Sequence, residues 1–92
     1  MKVIELIEKT VKVDNSDNEG RQYRIEAYVK LSGGSITEVN NGNVYSLDGN
    51  MHLCYFNGLN SLNVNFDSMA EDRTAILAAI EAFEAAMNVE EL

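Results

Sequence analysis

His52 and Cys54 stand two positions apart. On an extended strand that spacing turns both side chains to one face, where an imidazole could accept the thiol proton and leave a nucleophilic thiolate. Such a pair needs a third group to orient the imidazole, and Asp48 is a candidate that no spacing fixes. The competing reading is packing, because a lone histidine beside a lone cysteine on an apolar strand usually fills space. A second pattern runs from Asn15 through Asp17, Glu19 and Gly20 to Glu26, with glycine at the sixth and glutamate at the twelfth place of a calcium-loop template. It departs from that template in its first ligand, which is Asn15, in Glu19 where Asp or Asn is usual, and in Gln22 at the apolar eighth place. Its second half also alternates like a strand where the template requires a helix, so a solvated hairpin loop is the expectation. Glu81 and Glu84 share a helical flank with Leu77, but acid–base work would require a cleft that raises a carboxyl pKa. No GxGxxG, P-loop, HExxH or GxSxG pattern occurs. These residues therefore point to no catalytic group, no cofactor and no metal, with an enzyme built on His52 kept as a distant alternative.

The elements that must carry these residues follow from periodicity. Val3, Ile4, Leu6, Ile7 and Val11 fall on one helical stripe, which predicts a short helix over residues 2–9, with an N-terminal strand as the alternative. From Gln22 to Leu31 the apolar residues Tyr23, Ile25, Ala27, Val29 and Leu31 alternate with polar ones, the signature of a half-buried strand. Its hairpin partner is expected at Thr10 to Asp14, across the polar loop from Asn15 to Gly20. Gly33-Gly34, Asn41-Gly42, Asp48-Gly49 and Asn57-Gly58 each supply the positive φ that a tight hairpin requires, and predict short strands near 35–40, 43–47, 51–56 and 61–66. Ser68 and Glu71 form a capping-box pattern, so a helix is expected from Ser68 to about Met87, burying Met69, Ile76, Ile80, Phe83 and Met87. Alanines 75, 78, 79, 82, 85 and 86 cover its flank and back. They are either strong helix formers or a face closely approached by a second surface. The sum is one α+β domain over residues 1–92: an antiparallel meander of five or six strands with the C-terminal helix across one face.

The register of that meander poses a conflict. Two-residue turns place Leu62, Val64, Phe66, Met51, Leu53, Val44 and Val39 on one face. They put the apolar side of the 23–31 strand on the other face, with Ile36, Tyr45, Leu47, His52 and Cys54. A one-residue slip reverses every side chain, so a bulge or a longer turn is expected near Gly33-Gly34.

Charge is divided as unevenly as hydrophobicity is patterned. Residues 1–30 hold six acids and six bases, so the whole net charge of −8 belongs to residues 31–92, where Arg73 is the one basic residue. Such a field repels nucleic acid and anionic membrane and attracts basic partners. Tyr28, Tyr45, Tyr55 and Phe56 could stack on bases, but residues 31–72 hold no Lys or Arg to track phosphates. One cysteine leaves no intrachain disulfide, which suits a cytoplasmic location. The N-terminal apolar residues are interrupted by Glu5 and Glu8, unlike a signal-peptide core, and no segment has the length and apolarity of a membrane span.

Small size, acidic balance, absence of proline and absence of catalytic motifs resemble, in type, the inhibitors encoded by phages and mobile elements, including anti-CRISPR and DNA-mimic proteins. No motif is shared, so no functional residue is carried over. The function expected is a non-catalytic interaction module that binds a basic protein surface, for example that of a nucleic-acid-binding protein. Glu38, Asp48, Asp67, Glu71, Glu81 and Glu84 would supply the charge, and Tyr45 and Phe56 an aromatic part of the open sheet face. The alternative is a structural homo-oligomer, such as a homodimer, that associates through the alanine-rich helix or the open sheet face.

Overall fold

A computed structural model describes residues 1–2, 8–59 and 61–87. Five antiparallel strands follow one another across a single sheet in chain order: β1 (Glu8–Asp14), β2 (Tyr23–Ser32), β3 (Ser35–Ser46), β4 (His52–Gly58) and β5 (Asn63–Phe66). The helix α1 (Arg73–Ala85) closes the fold. It packs on one face over a core that includes Ile25, Val29, Val39, Val44, Phe56, Ile76 and Ile80. This is the α+β meander expected, and β2 alternates over the residues its pattern indicated. The helix expected over residues 2–9 falls mostly on residues 3–7, outside the described residues, while Glu8 and Lys9 open β1.

The strands differ from expectation at Asn41-Gly42, which is not a turn. β3 runs through it for twelve residues, and Asn41, at φ 51°, sits in a bulge. The Asn41 backbone N–H donates to Asn57 Oδ1 across the sheet at 3.0 Å, so the left-handed residue is held within the strand and the chain does not reverse. Reversals occur at Gly33-Gly34, with φ of 58° and 82° as in a type I′ hairpin, and at Asp48-Gly49, where the Gly49 N–H donates to the Ser46 carbonyl at 2.8 Å. Asn57-Gly58 ends β4, and Leu59 at φ 94° follows it.

Bulges resolve the conflict of register. Lys30 pairs with Glu38 and Leu31 with Ile36, so Thr37 is extra on β3, near the Gly33-Gly34 turn as expected. A second bulge lies around Asn41, and a third on β4, where Val44 pairs with Cys54 but Tyr45 pairs with His52, leaving Leu53 extra. Each inserted residue shifts the alternation by one. The strand 23–31 thereby buries its apolar side on the same face as Val39 and Val44, Leu53 and Cys54, adjacent in sequence, are both buried, and Tyr45 and His52 stay on the other face.

The helix begins later than the Ser68 and Glu71 pattern suggests. Asp72 caps it, its Oδ1 accepting from the Ala75 N–H at 3.0 Å, so Glu71 and Asp72 precede the first turn. The preceding segment is held in a turn by the Ala70 N–H to Asp67 carbonyl bond of 3.0 Å, with Ala70 buried. Met69 consequently lies outside the helix and is exposed, while Ile76 and Ile80 form the buried centre of the stripe with Phe83, Ala79 and Met87 partly buried around them.

Candidate functional site

The face of the sheet opposite α1 carries the polar alternates of each strand. Register aligns Glu26, Asn43, Tyr55 and Asn65 in one row across β2 to β5, and Arg24, Tyr45 and His52 in the next. His52 is the hub. Its Nδ1 meets Asp67 Oδ2, its Nε2 lies 3.0 Å from Asn43 Oδ1, and its ring sits edge-on to Tyr45 at 5.2 Å and tilted against Tyr55 at 4.1 Å. Asn43 is held in turn by donating through Nδ2 to the Asn41 carbonyl at 3.3 Å. Tyr45 donates its hydroxyl to Glu26 Oε1 at 3.4 Å, and Glu26 also pairs with Lys12 at 3.3 Å. Burial and the adjacent Glu26 carboxylate raise the Tyr45 pKa, while Glu26 as hydrogen-bond acceptor and counter-ion raises that of Lys12.

This arrangement corrects the pairing of His52 with Cys54. The Leu53 bulge puts the two on opposite faces, so the thiol does not reach the imidazole. The orienting carboxylate is Asp67. Asp48 instead closes the β3–β4 turn, accepting from Ser46 Oγ at 2.6 Å and the Asn50 N–H at 3.0 Å, bonds that lower its pKa. Cys54 is fully buried beneath the helix side of the sheet, and burial, aided by the Asp67 charge, pushes its thiol up to about 11. At pH 8 the thiolate fraction is then lower than that of a free thiol by about two orders of magnitude. Iodoacetamide is expected to leave the native protein unlabelled on a timescale that fully labels the urea-unfolded chain. Equal rates would overturn the burial of Cys54. Because the folded thiol holds its proton above the ordinary value of 9.0, the stability linked to it is intact below about pH 9 and lost as pH rises towards 11.

The calcium-loop pattern is likewise taken apart by the fold. Asn15 uses its side chain within the hairpin, donating to the Tyr23 carbonyl at 2.9 Å and accepting from the Ile25 N–H at 3.0 Å. Glu26 is on the open face with Lys12 and Tyr45. Among the described residues no group of three or more His, Cys, Asp or Glu could hold a metal ion.

The carboxylates expected to act together are dispersed. Glu38 lies on the open face of β3 opposite Lys30, Asp67 beside His52, Asp48 in the turn at the far end of β3, Glu71 before the helix, and Glu81 and Glu84 on it. Lys12 pairs with Glu26, Lys30 with Glu8 and His52 with Asp67. None of these three pairs includes Glu38, Asp48, Glu71, Asp72, Glu81 or Glu84. Of the two aromatics expected on the open face, Tyr45 is there, but Phe56 is 2% exposed and belongs to the core. The bulge at Leu53 exchanges the faces of Tyr55 and Phe56, so Tyr55, 55% exposed, takes the surface position. On the helix side, Ala75, Ala78, Ala79, Ala82 and Ala86 wall a groove of about 500 Å³ against the Asn15–Tyr23 loop.

No protein-family model, curated protein or solved structure matches the chain. No helix among the described residues is long and apolar enough to cross a membrane. The class the geometry defines is a five-stranded antiparallel meander, helix-covered on one face and lined on the other with aromatic, amide and carboxylate groups.

Proposed function

We propose that this protein is a non-catalytic interaction module that binds a basic protein surface. The observation that carries the reading is the acidic excess of residues 31–92, whose carboxylates on β3, the β3–β4 turn and the helix stand outside the Lys12–Glu26 and Lys30–Glu8 pairs of β1 and β2. An unneutralised field of one sign costs the isolated domain self-repulsion, and a partner of opposite sign relieves it while gaining a faster encounter. His52 has an orienting carboxylate but is given Asn43, Tyr45 and Tyr55 as its other neighbours, none of them an activated nucleophile. In its sharper form the partner is a nucleic-acid-binding protein whose basic groove takes carboxylates where phosphates normally lie, the mode of a phage- or mobile-element-encoded inhibitor.

The test is affinity for the partner retained from host lysate, measured between low and physiological salt and after reversal of the exposed Glu71 and Glu81 to Lys. Binding is expected to weaken with salt about as steeply as a contact of several ion pairs, and the reversals to cost about tenfold without unfolding the domain. Competition with the partner's own DNA or RNA tests the inhibitor form. Affinity indifferent to salt and to both reversals would overturn the reading. A native mass that doubles and is insensitive to salt would instead favour self-association through apolar surface.

A further inference from the structure

Two aromatic rings of this chain carry cations of its own: the Lys12 ammonium stands 5.8 Å from the centre of the Tyr28 ring, and the Arg73 guanidinium 4.9 Å from that of Phe66. Tyr55 is the most exposed aromatic residue among those described, at 55%, and no such cation stands over it. Its ring adjoins His52, whose partner Asp67 keeps a side chain 38% exposed, and its strand neighbours are Asn43 and Asn65. We propose that the open face around Tyr55 and Asp67 is the docking surface for an arginine side chain of the basic partner.

This inference rests on the basic-partner reading above and says where and how that partner is held. Arginine and this patch are complementary. A planar guanidinium stacks on an aromatic face and offers its remaining N–H groups in a fixed fork to a carboxylate or an amide oxygen. Tyr55, Asp67 and Asn65 present a ring, a carboxylate and an amide within one patch of β4 and the end of β5, with Asn43 bracing His52 beside them. The patch is also pre-organised, because Asn43 and Asp67 are both tied to His52. Lysine carries the same charge as a compact, strongly hydrated ammonium, and gains less from the ring and nothing from the planar fork. The helix carboxylates Glu81 and Glu84 offer charge without a ring and should not distinguish the two cations.

The probes are a short peptide alternating glycine and arginine and its lysine counterpart of equal charge. Each is titrated at low salt into the ¹⁵N-labelled protein. The expected result is amide shifts centred on His52, Tyr55, Asn65 and Asp67, with the arginine peptide tighter by about fivefold. Tyr55→Ala should abolish that preference and Tyr55→Phe preserve it, since the ring and not its hydroxyl is required. Both variants change an exposed side chain, and unchanged amide dispersion verifies their fold. Shifts centred on Glu81 and Glu84 with equal affinity for the two peptides would overturn the docking surface and leave the basic-partner reading standing. Absence of binding by either peptide would overturn both.

Discussion

Phe56→Ala is expected to remove about 3–5 kcal/mol of stability, a large share of the roughly 5–15 kcal/mol available to a domain of this kind. Phe56 heads the fully buried side chains, and its ring packs against the backbone of Gly42, its partner across β3 and β4. A Cβ at position 42 would stand far inside van der Waals contact with three carbons of that ring. Gly42→Ala should therefore cost about 1–3 kcal/mol by overpacking, although the position lies within a strand where alanine is ordinarily the better residue. The two effects share one cause, so they must couple. In the Phe56→Ala background the cost of Gly42→Ala is expected to fall below about 0.5 kcal/mol, because the space the methyl needs has been vacated. Urea unfolding of the four proteins measures this. Strict additivity would show that the ring does not lie on Gly42.

Ile80→Ala is expected to cost on the order of 2–5 kcal/mol, and Glu81→Ala less than about 0.5 kcal/mol. Ile80 is 0% exposed at the centre of the helix–sheet contact, whereas its neighbour Glu81 points to solvent. Phe83 is only partly buried, so Phe83→Ala should fall towards the lower end of the range for aromatic truncation. Thermal or urea unfolding distinguishes the positions. Equal losses at 80 and 81 would mean that α1 presents a different face to the sheet.

Much of the architecture was legible because it is local. The alternation from Tyr23 to Leu31 can bury one face only as a strand, two successive glycines at 33 and 34 suit a type I′ reversal, and the spacing of Ile76, Ile80 and Phe83 defines one helical face. The helix start is not a local property, because Ser68 and Asp72 are both competent caps and the choice depends on Ala70 being drawn into the core with residues 67–70 in a turn. Asn41-Gly42 is ambiguous for a related reason. An Asn-Gly pair announces a positive φ, which serves a bulge as well as a hairpin, and here two contacts with β4 hold it within the strand, the Asn41 N–H on Asn57 and the Phe56 ring against Gly42.

The site was less legible than the fold, since its composition depends on one inserted residue. By itself the sequence determined the charge division and the stock of groups available: an acidic stretch from 31 to 92 with a single base, tyrosines and asparagines alternating with apolar residues, one histidine and one cysteine. These follow from composition and local pattern, which no packing can alter. Which groups meet was decided only in three dimensions. The bulge at Leu53 separates Cys54 from His52, sends Phe56 inward and Tyr55 outward, and brings Asp67, fifteen residues along the chain, onto the imidazole. A bulge is selected by the total burial of both hairpins it joins, a quantity distributed over β2, β3, β4 and the helix, and so no short stretch of sequence announces it.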